Sequence, residues 1–321
     1  MLRMRTYKIR IKYILLLLIL PIFLLSCGGS RAVDTSPFSI PEGDIVLTFA
    51  VTADMREYTE TGGFRDVCER IAWGGPGDFM ISPGDIDPPG QVYNTIISCL
   101  GADYIWYPVV GNHESETPSD MTWLRSFNVG GNTLPGIVNT GPDGTVETTY
   151  SFDYENVHFV ILNEYFDGGT GAGSDVGTDG DVVSELRTWL ESDLQASTQP
   201  VKIVIGHEPA YPLPDEENGR LRHEDDSLNS HPGNRDLFWD LLSTKGVEAY
   251  LCGHTHNYSS TQFEVDGVWQ IDVGHARGIF DTGARSTFVM FYVMADNTVW
   301  FYTYRLDLSS RLYELTEIGQ L

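Results

Sequence analysis

Five short apolar runs, each leading into a carboxylate, an amide or an imidazole, constrain this chain more than any other feature. Residues 45–52 lead to Asp54, and residues 78–82 lead through "SPGDID" to Asp85. Residues 105–110 lead into "VVGNHES", which carries Asn112, His113 and Glu114. Later, 201–205 open onto "VIGHEP" with His207, and 248–252 onto "LCGHTHNY" with His254 and His256. Runs of this length and composition read as strands. Amphipathic stretches at 63–72, 91–100, 119–127, 182–195 and 234–244 read as helices, with Asn234 as the N-cap of the last. Two more strands are expected at 150–153 and 157–163. Hairpins at 260–265/268–273 and 287–293/298–306 have "DG" and "DN" at their turns. The pattern is that of an α/β domain, in which chemistry gathers where loops leave the carboxyl ends of the strands.

Each of these pieces taken singly is weak. A "GD" is ordinarily a turn, and a buried histidine is ordinarily a satisfied core residue. "GHTH" says more, because positions i and i+2 of an extended chain point the same way and can meet one cluster. Five such endings in order exclude coincidence. Imidazole mixed with carboxylate suits Zn, Mn or Fe rather than Ca or Mg.

The order Asp54, "GD", "GNHE", "GH", "GHTH" resembles the calcineurin-like metallophosphoesterase superfamily over roughly Ile45 to His256. The resemblance implies a four-layer αββα sandwich over residues 43–321, with two divalent or trivalent transition-metal ions (Mn, Fe or Zn) at the strand ends. One ion is expected on Asp85, Asn112, His207 and His254. The other is expected on Asp54, on Asp85 as a bridge, on His256, and on a histidine of a D-x-H motif. That last position is Arg56. Purple acid phosphatases, in the same superfamily, also lack this histidine and use a tyrosine three residues after the "GD" aspartate; here that residue is Pro88. Three options stay open. Glu57, Asp87 or His275 completes the site; or only one ion binds and the permanently charged Arg56 stands in for the other; or the chain binds without cleaving. The implied mechanism is in-line attack on phosphorus by a metal-activated hydroxide, the two ions lying ~3.5–4 Å apart. His113 would protonate the leaving alkoxide, and Glu114 would either orient that imidazole or only fix the loop.

The amino terminus indicates location. Residues 1–13 hold five basic residues and no acidic one, an interrupted apolar stretch follows, and "LLSC" ends at Cys27. This resembles the lipobox of bacterial lipoproteins: residues 1–26 as signal peptide, Cys27 lipidated, 27–42 as tether, and the domain held outside the cytoplasm on a bacterial membrane. Loss of residues 1–26 takes the net charge from −25 to −30 (15 Lys+Arg against 45 Asp+Glu). A chain this acidic repels nucleic acid. A small phosphorylated substrate needs local positive charge, for which Arg220, Arg222, His223 and Arg277 are the candidates. Loops 167–181 and 208–234 are long enough to be functional. The first is rich in Asp and Gly but matches no calcium-loop spacing. Cys68 and Cys99 are open to pairing, whereas Cys252 lies in an apolar run.

No G-x-S-x-G and no G-x-x-x-x-G-K-[ST] occurs, which removes the α/β-hydrolase serine and the P-loop. The expectation is an extracytoplasmic metal-dependent phosphoric ester hydrolase, with monoester and diester both open. The alternative is a non-catalytic surface lipoprotein that binds a phosphorylated ligand through the same site. Oligomeric state stays open.

Overall fold

In the computed structural model, which describes residues 34–263 and 267–321, the apolar runs pair into two β-sheets. The signal peptide and Cys27 lie outside the described residues. Strand β1 (Ile45–Val51), helix α1 (Phe64–Gly74), β2 (Phe79–Ser82), α2 (Pro89–Leu100) and β3 (Ile105–Pro108) come first. Helices α3 (Asn112–Glu116) and α4 (Pro118–Phe127) lead to β4 (Ile137–Thr140), β5 (Tyr150–Tyr154) and β6 (Val157–Ile161). Next come α5 (Ser184–Ala196), β7 (Val201–Ile205), α6 (Pro232–Thr244), β8 (Ala249–Cys252), β9 (Tyr258–Gln262) and β10 (Trp269–Val273). The chain closes with β11 (Thr287–Met294), β12 (Val299–Leu306) and β13 (Tyr313–Gln320).

One sheet has the order β13-β12-β11-β1-β2-β3 and the other β4-β5-β6-β7-β8-β10-β9. The strands that carry candidate ligands run parallel within each sheet: β1 with β2 and β3, and β7 with β8. Because side chains alternate along a strand, each sheet supplies two apolar faces. Leu47, Phe49, Phe79 and Ile81 face Phe159, Ile203 and Ile205 across the gap between the sheets. Ala50 and Met80 point the other way, onto Phe64, Val67 and Ile71 of α1 and Val92 and Ile96 of α2. Val160 and Val204 likewise meet Leu186 and Leu190 of α5 and Phe238 of α6. Three apolar layers separate four layers of structure, the αββα sandwich. Phe49 stacks on Phe291 at 4.8 Å and meets Phe159 of the opposite sheet edge-on at 5.2 Å. A fully buried ring of this kind contributes about 1.5–3 kcal/mol.

Several expectations are corrected. Helix α6 begins at Pro232 with His231 at its N-cap, and Asn234 lies inside it. Proline at the first helical position is favoured because its missing N–H would be unpaired there anyway. The Asn234 side chain instead donates to Asp181 at 2.6 Å. Residues 34–42, read as the end of the tether, pack onto the domain. The Phe38 N–H bonds the Gly74 carbonyl at 2.8 Å, and its ring lies 4.5 Å from Tyr304 and 4.4 Å from the Arg70 guanidinium. Cys68 and Cys99 are free thiols in contact, not a disulfide. Strands β4 and β13 were not read from the sequence. Among the described residues no helix is long and apolar enough to cross a membrane.

On the outer face of β6, His158 bridges two carboxylates, 2.7 Å from Asp153 and 2.9 Å from Asp193 of α5. Burial disfavours its charge, but the two carboxylates outweigh burial and raise its pKa above the usual value. A raised folded-state pKa gives stability that is present below about pH 6.5 and lost as pH rises through the folded pKa. His158→Gln therefore lowers Tm by roughly 2–6 °C at pH 6 and by less at pH 9. An equal loss at both pH values would show that the bridge is uncharged.

Candidate metal centre

The backbone at the strand ends is held in an unfavourable conformation. Asp54, Asp85, His254 and His256 have φ of 56°, 51°, 69° and 59°. For residues other than glycine this left-handed region costs roughly 1–2 kcal/mol each and persists only where the surroundings over-determine it. The loops also interlock closely. A Cβ on Gly84 would lie 2.3 Å from His207 Nδ1, and one on Gly111 would lie 2.3 Å from the Asp85 backbone nitrogen. The glycines of "GD" and "GN" thus let one loop approach the next.

The four donors expected for one ion converge. His207 donates its Nδ1–H to the Pro83 carbonyl at 2.8 Å, which leaves the Nε2 lone pair facing inward. His254 donates Nε2–H to the Asp226 carbonyl at 2.6 Å and turns Nδ1 inward. These two inward nitrogens stand 3.2 Å apart. Asn112 Oδ1 is 3.3 Å and Asp85 Oδ1 3.4 Å from His207 Nε2. Burial holds the pKa of both imidazoles down to about 3, so neither brings a second proton. Such lone pairs repel one another unless a cation stands among them. Donors about 2.0–2.1 Å from the centre of a tetrahedron lie about 3.3–3.4 Å from each other, close to the 3.2–3.4 Å at which His254, Asn112 and Asp85 stand from His207 Nε2.

Asp54, Asp85 and His256 bring three donor atoms together, and no further His, Cys or carboxylate joins that group among the described residues. Asp54 Oδ2 accepts the His254 N–H at 2.9 Å, while its buried Oδ1 has no hydrogen-bond partner and lies 3.4 Å from His256 Nε2. Burial, then the charge of Asp85, push the Asp54 carboxyl well above the usual range, with Arg277 opposing. Arg277 reaches into this space: its Nε donates to the Asp54 carbonyl at 2.6 Å and its Nη2 lies 2.9 Å from His256 Nε2. Arg56, by contrast, turns to Asp87 at 3.0 Å and to Glu57 at 3.5 Å. His275 is tied to backbone at both nitrogens, at Ala284 and at its own loop. The three candidate substitutes for the missing histidine are therefore engaged elsewhere.

The remaining candidates separate. His113 donates its backbone N–H to Asp85 Oδ1 at 3.3 Å, and its Nε2 is 3.6 Å from Asp85 Oδ2. Its ring lines a cavity of about 210 Å³ together with Arg56, Arg222, His223, Arg277 and the donors Asp85, Asn112, His254 and His256. Glu114 does not orient that ring. Its carboxylate accepts the backbone N–H groups of Asp85, Ile86 and Gly111 at 3.0, 2.8 and 2.7 Å, clamping the "GD" loop to the "GN" loop. Arg222 reaches His256 Nδ1 at 2.5 Å and His223 Nε2 at 3.1 Å, and His223, not Arg222, pairs with Asp226 at 3.0 Å. Arg220 is not in the cavity. It braces the turn after His256 through the Asn257 side chain at 2.8 Å and the His256 carbonyl at 3.3 Å. In loop 167–181, Asp175 pairs with Arg125 and Asp179 with His231.

Two supports were missed from the sequence. Glu164, fully buried, accepts the N–H groups of His207 and Glu208 at 2.8 and 2.7 Å, and burial pushes its pKa up to about 7. Asp226 fixes His254 through a backbone carbonyl, which leaves no side-chain signal to read.

Residues 47–258 match the calcineurin-like phosphoesterase family. The chain belongs to that family. Purple acid phosphatase 22 of Arabidopsis thaliana is 25% identical over 243 residues, covering 72% of this chain and 49% of that protein. The chain thus spans about half the length of the curated relative it matches. A solved structure of PhoD superposes with a TM-score of 0.56 at 13% identity, over 88% of this chain and 69% of that one. GAP50, described as the anchor in the inner membrane complex of Plasmodium, superposes with a TM-score of 0.53 at 15% identity, over 86% and 88%. These two likenesses show the phosphoesterase fold.

Proposed function

We propose that this family member is a metal-dependent hydrolase of a small phosphate mono- or diester, working outside the cytoplasm and held to a bacterial membrane by a lipid on Cys27. The observation that carries the reading is the cluster of Asp85, Asn112, His207 and His254, in which His254 Nδ1, Asn112 Oδ1 and Asp85 Oδ1 stand 3.2–3.4 Å from a His207 Nε2 that carries no proton. An ion of Zn, Mn or Fe bound there supplies a Lewis acid for a phosphoryl oxygen and lowers the pKa of water. His113 holds a proton at Nε2 for the departing oxygen, with its backbone pinned to Asp85. Arg222 and His223 present N–H donors to the non-bridging oxygens, and a guanidinium grips such oxygens in pairs. Glu114 and Glu164 hold the loops that carry the donors. The basic, apolar and "LLSC" sequence at the amino terminus supports the location.

The test is release of 4-nitrophenolate by the purified chain, supplied with Mn, Fe or Zn, from 4-nitrophenyl phosphate and from its bis ester. Turnover of at least one ester is expected. No turnover of either, with phosphate still bound, would leave the binding-lipoprotein alternative. Cys27→Ser is expected to move the chain from the membrane fraction to the soluble one; a variant that stays with the membrane counts against the anchor.

A further inference from the structure

We infer that the centre keeps one resident ion, on Asp85, Asn112, His207 and His254, and that the guanidinium of Arg277 holds a second ion off His256. This rests on the metal-dependent reading above and adds to it which of two positions is filled. The two halves of the centre differ in their protons. At His207 and His254 the inward nitrogens are bare. At His256 an N–H already points at the lone pair a metal would use: Arg277 Nη2 stands 2.9 Å from Nε2, while Nδ1 faces Asp281 Oδ2 at 3.0 Å.

Arg277 is held in place rather than resting against the ring. It is 6% exposed, its Nε donates to the Asp54 carbonyl at 2.6 Å, and its backbone N–H is bound by His275 Nδ1 at 3.2 Å. The Tyr58 ring lies 5.7 Å from its guanidinium carbon. A guanidinium does not deprotonate, so it cannot convert from a donor into a ligand. Two buried carboxylates, Asp54 and Asp85, stand beside it, and a buried charge requires a partner of opposite sign. In a dinuclear centre the second ion balances Asp54; here Arg277 does, through its bond to the Asp54 carbonyl and its place beside His256. A second ion on Asp54, Asp85 and His256 would have to displace an N–H from Nε2 and settle next to a fixed positive charge. It would also lack a fourth protein donor, since Arg56 has replaced the histidine and is turned to Asp87. Asp54 Oδ1 is already without a hydrogen bond, so what keeps a second ion out is the Arg277 N–H at His256.

The experiment is manganese content per chain in the full-length protein loaded with Mn²⁺, read by elemental analysis and by electron paramagnetic resonance. The expected result is one ion, with the spectrum of an isolated Mn²⁺. Arg277→Met is expected to take up a second ion and to show a spin-coupled pair. His256→Ala, which does not depend on how the methionine packs, is expected to keep its single ion. Two ions in the unaltered chain, loss of an ion in His256→Ala, or a single ion in folded Arg277→Met would each overturn the inference. Two ions in a chain that turns over phosphate esters would leave the metal-dependent reading standing. A chain that binds none would overturn both.

Discussion

Replacing His207 with alanine lowers kcat/KM for 4-nitrophenyl phosphate by about 10³-fold or more, a loss of roughly 4 kcal/mol of transition-state stabilisation. His207 is fully buried and supplies the nitrogen from which the other three donors are measured. Its backbone N–H bond to Glu164 survives the substitution, so the loop keeps its anchor. What is lost is a neutral imidazole aimed inward by the Pro83 carbonyl. The orphaned carbonyl and the cavity also cost stability, on the order of 1–3 kcal/mol, which a melting curve separates from the loss of rate. Bound metal is expected to fall with activity. A folded variant that keeps both would remove this cluster from the chemistry.

His113→Ala gives the second large effect, and its size depends on the leaving group. A positioned general acid contributes about 10²–10⁴-fold when the departing oxygen is a strong base. Alkyl phosphates are therefore expected to lose that factor, and 4-nitrophenyl phosphate, whose phenolate departs without a proton, to lose far less. His113 is suited to this role because its ring is partly exposed, at 32%, while its backbone N–H is fixed on Asp85. The rates are measured across a series of esters with increasingly basic leaving groups. A uniform loss along the series would assign His113 to binding or to loop structure.

Much of this centre was legible because its parts combine two strong local signals, a short apolar strand and a donor directly after it. The donor set Asp85, Asn112, His207 and His254 is what the family resemblance of those motifs implies, and the fold brings the other three within 3.2–3.4 Å of His207 Nε2. What the sequence could not convey was direction. Arg56 is the obvious cation because it is two residues from Asp54, but its guanidinium swings out to Asp87. The cation that sits between Asp54 and His256, Arg277, arrives from 223 residues downstream. Glu114 shows the same limit: adjacent to His113 in the chain, it points at three backbone N–H groups instead. In "NGRLRH", Arg222 and His223 enter the cavity and Arg220 braces the loop, a distinction of side-chain direction that composition does not carry. The strands that escaped notice are weak for a physical reason. β13 lies at a sheet edge and buries only Tyr313 outright, and β4 pairs with an irregular register. Neither has the continuous apolar run of a central strand.

The central claim is that an ion held by Asp85, Asn112, His207 and His254 is what makes this chain a phosphoesterase. The measurement that tests it most directly is ester hydrolysis before chelation, after exhaustive removal of metal, and after return of Mn, Fe or Zn. Loss of turnover on removal and its recovery with one of these ions is the predicted result. Undiminished hydrolysis by metal-free chain would contradict it.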